Sequence, residues 1–191
     1  MVVVTTLLMR YLYRPDPHYS ELYGDEIALF HSEDRYEREI WRFDLIDSLE
    51  NLKDKGELTK LELKVIVGEF NEDTQEIIKY AVNHKFKPIT IMGGPIVYCE
   101  DKRDIYTILD KYKHIKYLVL PKRPTKHFMI FNKNHLFIER PHRHYEIRDT
   151  VAIKNAKPEL VDIYDDVFGK MLEYAKPVTK EEVLEMQCYE S

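Results

Sequence analysis

The sequence predicts an α/β fold, a mixed β-sheet flanked by helices, on three observations. Between residues 63 and 120, short apolar runs alternate with stretches of helical periodicity. Directly after them, two apolar runs face each other across a short turn carrying two asparagines, Asn132 and Asn134. A proline then opens a long amphipathic segment at Pro158. The 191 residues suffice for one domain with a sizeable core, and residues 1–191 are read as a single domain.

Taken in order, the apolar run 1–9 reads as a core strand. It has no basic residue ahead of it and no small-residue cleavage site, so it does not read as a signal peptide. Residues 14–24 hold Pro15 and Pro17 and read as a surface-wrapping irregular piece. A helix follows over about 33–53, with Trp41, Leu45, Leu49 and Leu52 on one stripe and Gly56 just past its end. Residues 63–68 read as a buried strand. Asn71 or Asp73 caps the next helix, whose apolar positions are Ile77, Ile78, Ala81 and Val82. Residues 88–92 form a second strand, closed by Gly93, Gly94 and Pro95. A third helix carries Ile105, Ile108, Leu109 and Tyr112, and 115–120 is the third strand. A β-α-β-α-β run of this kind builds a largely parallel sheet with right-handed crossovers.

The pattern then changes. Residues 127–131 and 135–139 predict a hairpin, because asparagine tolerates the left-handed backbone that a tight turn demands. A further strand is expected over about 145–153. From Pro158 onward, Leu160, Ile163, Tyr164, Val167, Phe168, Met171 and Leu172 keep a helical rhythm. Thr179 and Glu182 have the spacing of a capping box for a short last helix.

Charge is segregated along the chain. The net formal charge is −5, which argues against a uniformly basic nucleic-acid binder. Yet residues 111–148 hold ten Lys and Arg against two acids, Glu139 and Glu146, and five of the eight histidines. Such a stretch is either a solvated surface or an anion-binding face. Cys99 and Cys188 lie far apart in no metal-type spacing, so no disulfide framework is expected and a reducing, cytoplasmic setting is the default. No stretch is long and apolar enough to span a bilayer. Abundant Lys and Glu with only two glutamines lean toward a thermophilic source. No nucleophile elbow, zinc-finger spacing or dinucleotide fingerprint is present, and Gly93-Gly94-Pro95 lacks the spacing of a nucleotide loop.

The run from His127 to Glu139 resembles the strand–turn–strand that carries the His-x-Lys-x4-Asp motif of the phospholipase D superfamily. His127 takes the histidine place, Met129 the lysine place and Asn134 the aspartate place. The resemblance covers residues 63–175, as one half of such a fold, and leaves 1–62 as an N-terminal extension with one long helix. It implies a histidine that attacks phosphorus, a second histidine from a paired half as general acid and base, a lysine on the phosphoryl oxygens and an acid orienting the imidazole. It also implies a homodimer, since members with one half per chain pair to build one site. Met129 carries no charge, and losing one electrostatic stabiliser costs on the order of 10²–10³ in rate. Asn134 cannot stabilise an imidazolium as a carboxylate does.

The expected function is therefore a non-catalytic binding module for a phosphate-bearing ligand, a nucleic acid or a phospholipid head group. The binding residues are Lys126, Lys133, Asn134, Arg140 and Arg143 around His127, with no cofactor. The alternative is a divergent phosphodiesterase or nuclease with His127 as catalytic nucleophile. A second constellation, Glu139 with His142 and His144 and with His135 upstream, has the donor types of a transition-metal site, although Pro141 disturbs strand geometry there. A protein–protein adaptor is a third reading, built on Tyr11, Tyr13, Tyr19 and Tyr23.

Overall fold

The computed structural model describes residues 23–68, 70–139 and 149–189. The elements run β1 (Glu26–Phe30), α1 (Arg35–Asp54), β2 (Leu63–Val67), α2 (Glu72–Asn83), β3 (Ile89–Gly93), α3 (Cys99–Lys111), β4 (Ile115–Val119), β5 (His127–Phe131), β6 (His135–Glu139), β7 (Thr150–Lys154), α4 (Pro158–Leu172), β8 (Lys176–Val178) and α5 (Lys180–Glu185). The strands form one mixed sheet in the order β1-β7-β6-β5-β2-β3-β4-β8. Strands β2, β3 and β4 are parallel, as the strand–helix alternation predicts, and all other pairings are antiparallel.

Local chemistry sets the boundaries. The Asn71 side chain accepts from the Thr74 N–H at 3.1 Å and so caps α2. Gly56 takes a φ of +80° just beyond α1, where a left-handed residue ends the helix. Thr179 and Glu182 make the reciprocal capping box at α5. In the β5–β6 turn, Asn132 and Lys133 both have positive φ.

Side-chain alternation along the strands sends the core to both faces of the sheet. One face presents Val65, Ile91, Tyr117, Met129, Phe131 and Phe137 to α1, α2, α3 and α5. The other presents Ile66, Met92, Leu118, Phe128, Ile130 and Leu136 to α4, through Val161 and Phe168. His127, two residues before Met129, shares the first face by the same alternation.

Four expectations need adjustment. Strands β1 and β8 close the two edges of the sheet and carry no alternation strong enough to read; β8 holds Pro177, which an edge strand tolerates. Because β1 is the partner of β7, part of the segment read as an extension belongs to the sheet itself. On α4, Ile163 and Leu172 are 59% and 45% exposed, since a helix alone on its face of the sheet buries only a narrow stripe around Val161 and Phe168. Finally, Cys99 and Cys188 form a disulfide rather than remaining unpaired. Their distance in sequence hid the pairing. α5 packs on α3, the chain end returns to the start of α3, and Tyr189 bonds the main chain of Val97 and Cys99. The N-terminal run 1–9, the tyrosines 11, 13 and 19, and residues 145–148 of the expected seventh strand lie outside the described residues.

Candidate functional site

The site follows from the path between β4 and β5. β5 does not pair beside β4; it pairs with β2, two strands away. Residues 121–126 (Pro, Lys, Arg, Pro, Thr, Lys) must therefore cross the C-terminal ends of β3 and β2. In open α/β sheets, ligands are bound at such strand ends. The loop thus carries three cations, Lys122, Arg123 and Lys126, all exposed, across that edge.

Of three glycines at these strand ends, Gly68 and Gly94 let it lie close. A Cβ on Gly94 would stand 2.9 Å from the Gly68 carbonyl and 3.2 Å from the Arg123 Cα. One on Gly93 would collide with the Tyr117 hydroxyl. A Cβ on Gly68 would stand 2.7 Å from Nε2 of His127 and 3.1 Å from Nε of Arg123, so imidazole and guanidinium border the same small volume. Real side chains do not tolerate the 2.7 Å approach, so glycine at 68 is what allows the pair to meet.

His127 is mostly buried and held at both ring nitrogens. Nε2 donates to the Pro124 carbonyl at 3.1 Å, and Nδ1 lies 3.4 Å from Oε2 of Glu139, its cross-strand partner. Each nitrogen thus faces an oxygen acceptor, one on the main chain and one on a carboxylate. Met129 is buried in the core, packed on the face that holds Val65 and Phe137. The lysine place of the motif is therefore interior and apolar.

The hairpin separates the other expected residues. Lys126 adjoins His127, at the strand-end edge. Lys133 and Asn134 sit in the turn, four strand residues from His127, or roughly 13 Å away. Lys133 lies 3.9 Å from Oε1 of Glu62. Asn134 accepts from the Ala156 N–H at 2.7 Å and donates to Asn155, which ties the turn to the chain after β7. Asn134 thus cannot orient the imidazole; Glu139 stands in that position. Arg140, Arg143, His142 and His144 lie outside the described residues, and no cluster of metal-ligating side chains occurs among the described ones. His135 is at the turn end, away from Glu139, and its Nδ1 accepts from the Asn155 N–H at 3.1 Å. Burial, with Lys154 nearby, pushes that imidazole down to about 4.

Two residues escaped the sequence reading. Arg123 belonged visibly to the basic stretch, but only the pairing of β5 with β2 brings its loop over the strand ends. Arg42 gave less signal still, as one charge in a mostly apolar helix stripe. It is 5% exposed, stacked with its guanidinium carbon 4.8 Å from the Phe137 ring centre. Burial pushes it down to about 10, opposed chiefly by the charge of Glu139.

This mixed sheet, with the hairpin against the first parallel strand, is a phospholipase D-like α/β fold. Solved structures share it at low identity. Nuc from Salmonella typhimurium, a phospholipase D family member, superposes with a TM-score of 0.61 at 11% identity, covering 81% of this chain and 98% of its own. NucT from Helicobacter pylori gives 0.56 at 16%, covering 80% and 99%. TrmBL2, an archaeal chromatin protein, gives 0.56 at 15%, covering 90% of this chain and 59% of its own. No protein-family model matches the chain, and no curated protein matches it in sequence. Among the described residues, no helix is long and apolar enough to cross a membrane.

Proposed function

We propose that this chain binds the phosphate groups of a nucleic-acid strand, without cleaving it, at the edge formed by Arg123, Lys126 and His127. One observation carries the reading: the 121–126 loop sets a guanidinium and an imidazole together on Gly68, at the C-terminal ends of parallel strands. A guanidinium offers phosphate a planar fork of donors, and phosphate contacts supply most sequence-independent affinity. The likeness to TrmBL2, whose structure shows a mode of DNA binding, supports nucleic acid over a lipid head group. The buried Met129 and the occupied Nε2 support binding without hydrolysis. Arg140 and Arg143 extend the proposed surface on sequence grounds, and a homodimer would double it.

The test is fluorescence anisotropy with a labelled single-stranded oligonucleotide over a salt series. Wild type binds at low salt and weakens steeply as salt rises. Arg123→Ala with Lys126→Ala lowers affinity about a hundredfold and flattens the salt slope by about 1.4. Equal binding by the double variant defeats the assignment.

A second reading has one observation in its favour. Glu139 stands against Nδ1 of His127, where an orienting acid is needed. If His127 is a nucleophile, wild type hydrolyses a generic phosphodiester and His127→Ala does not. Absence of hydrolysis by wild type removes this reading.

A further inference from the structure

The starting observation is a buried cation without a counter-ion at bonding distance. Arg42 is on the sheet-facing side of α1, one turn after Arg38, which is also buried at 8% exposure. Its Nε is fully buried and has no hydrogen-bond partner. No hydrogen bond or ion pair joins its guanidinium to any described residue; its contact is the face of Phe137. A guanidinium removed from water without such partners is costly, and proteins keep one mainly where something completes it.

Its position relates it to the edge above. Phe137 and Glu139 are two residues apart on β6 and so point to one face, the face of α1 and of His127. Glu139 is the carboxylate that acts most strongly on Arg42, and it is also the one against Nδ1 of His127. Arg35, at the start of α1, pairs with Asp73 at the start of α2, the helix that follows the C-terminal end of β2. The start of α1 therefore stands at the same end of the sheet as His127 and Arg123, and Arg42, about two turns further on, lies over Phe137, two residues short of Glu139 on β6.

We propose that Arg42 anchors a second phosphate of the bound strand, next to the one held by Arg123 and His127, with Phe137 fixing the plane of its guanidinium. This inference rests on the binding reading above and adds a subsite to it. A stacked guanidinium presents its donor edge in a fixed direction, which suits bidentate recognition of a phosphate and excludes an equivalent role for lysine. Glu139, which lies 3.4 Å from Nδ1 of His127 and whose charge favours the Arg42 guanidinium, places the imidazole and the buried guanidinium around one carboxylate.

The test uses Arg42→Met, which keeps an apolar chain against Phe137, and Arg42→Lys, which keeps the charge but loses the fork. Binding of the labelled oligonucleotide is read over a salt series, beside melting temperatures with and without pyrophosphate. The subsite requires Arg42→Met to bind about tenfold more weakly, with a salt slope shallower by about 0.7, and to melt no lower than wild type. Arg42→Lys should weaken binding at least about threefold with the slope retained. Unchanged affinity in either variant overturns the subsite while leaving the 121–126 edge intact, and so does a fall in the Arg42→Met melting temperature with binding retained. Should wild type bind no oligonucleotide, a pyrophosphate-induced rise in melting temperature that Arg42→Met lacks would support the anion subsite alone. No rise in wild type would overturn it together with the nucleic-acid reading.

Discussion

The two ends of the β5–β6 hairpin differ in kind. At one end, His127 and Glu139 face each other under a cationic loop that crosses the strand ends. At the other, Asn132 and Lys133 adopt positive φ, and Asn134 and His135 bond the chain after β7. The first end collects charge around a ring at the protein edge; the second spends its polar groups on fixing a turn. Residues seven apart in sequence, His127 and Asn134, thus serve separate purposes, because an extended strand carries them apart faster than motif spacing implies.

The comparison breaks most severely if the strand between the two ends is altered. Met129→Lys restores the motif's residue type but places an ammonium in the apolar core. It should lower unfolding free energy by roughly 3–5 kcal/mol and confer no diester hydrolysis. Chemical denaturation of the variant, beside a hydrolysis assay, checks both; a stable, active variant would show that position 129 reaches the edge.

The turn end should respond to acid. His135 is neutral when folded, with its imidazole lowered from 6.5 to about 4 by burial. The unfolded chain takes up a proton first as pH falls, so the stability this residue contributes is complete above about pH 6.5 and is lost progressively toward about pH 4. The loss is roughly 2–3 kcal/mol. His135→Leu should flatten that part of the stability curve, as followed by urea unfolding across pH; an unchanged acid-side slope would mean that His135 is protonated in the folded state.

The smallest effect belongs to Lys133. Its side chain is 63% exposed beside Glu62, and exposed pairs of this kind contribute little. Lys133→Ala should change oligonucleotide affinity by less than about twofold at moderate salt. A tenfold loss would extend the binding face to the turn.

How far these features could be read in sequence follows from the range of the interactions involved. The three parallel strands, their helices and the hairpin rest on local periodicity and turn chemistry, so Ile77, Ile105 and Asn132 announce them. The edge strands β1 and β8, and the Cys99–Cys188 bond, depend on partners far along the chain and leave no local trace. In the site, His127 and Lys126 were legible because they flank a recognisable strand. Arg123 and Glu139 took their places only through strand order and register, and Arg42 only through packing of α1 on Phe137.

The most direct measurement is a titration of isotope-labelled protein with a short single-stranded oligonucleotide, followed by amide chemical shifts. The account predicts shifts at Gly68, Gly94, Lys122, Arg123 and residues 125–127, with residues 132–134 and Asn155 unmoved. Shifts confined to the turn, with Gly68 and the loop silent, would contradict it.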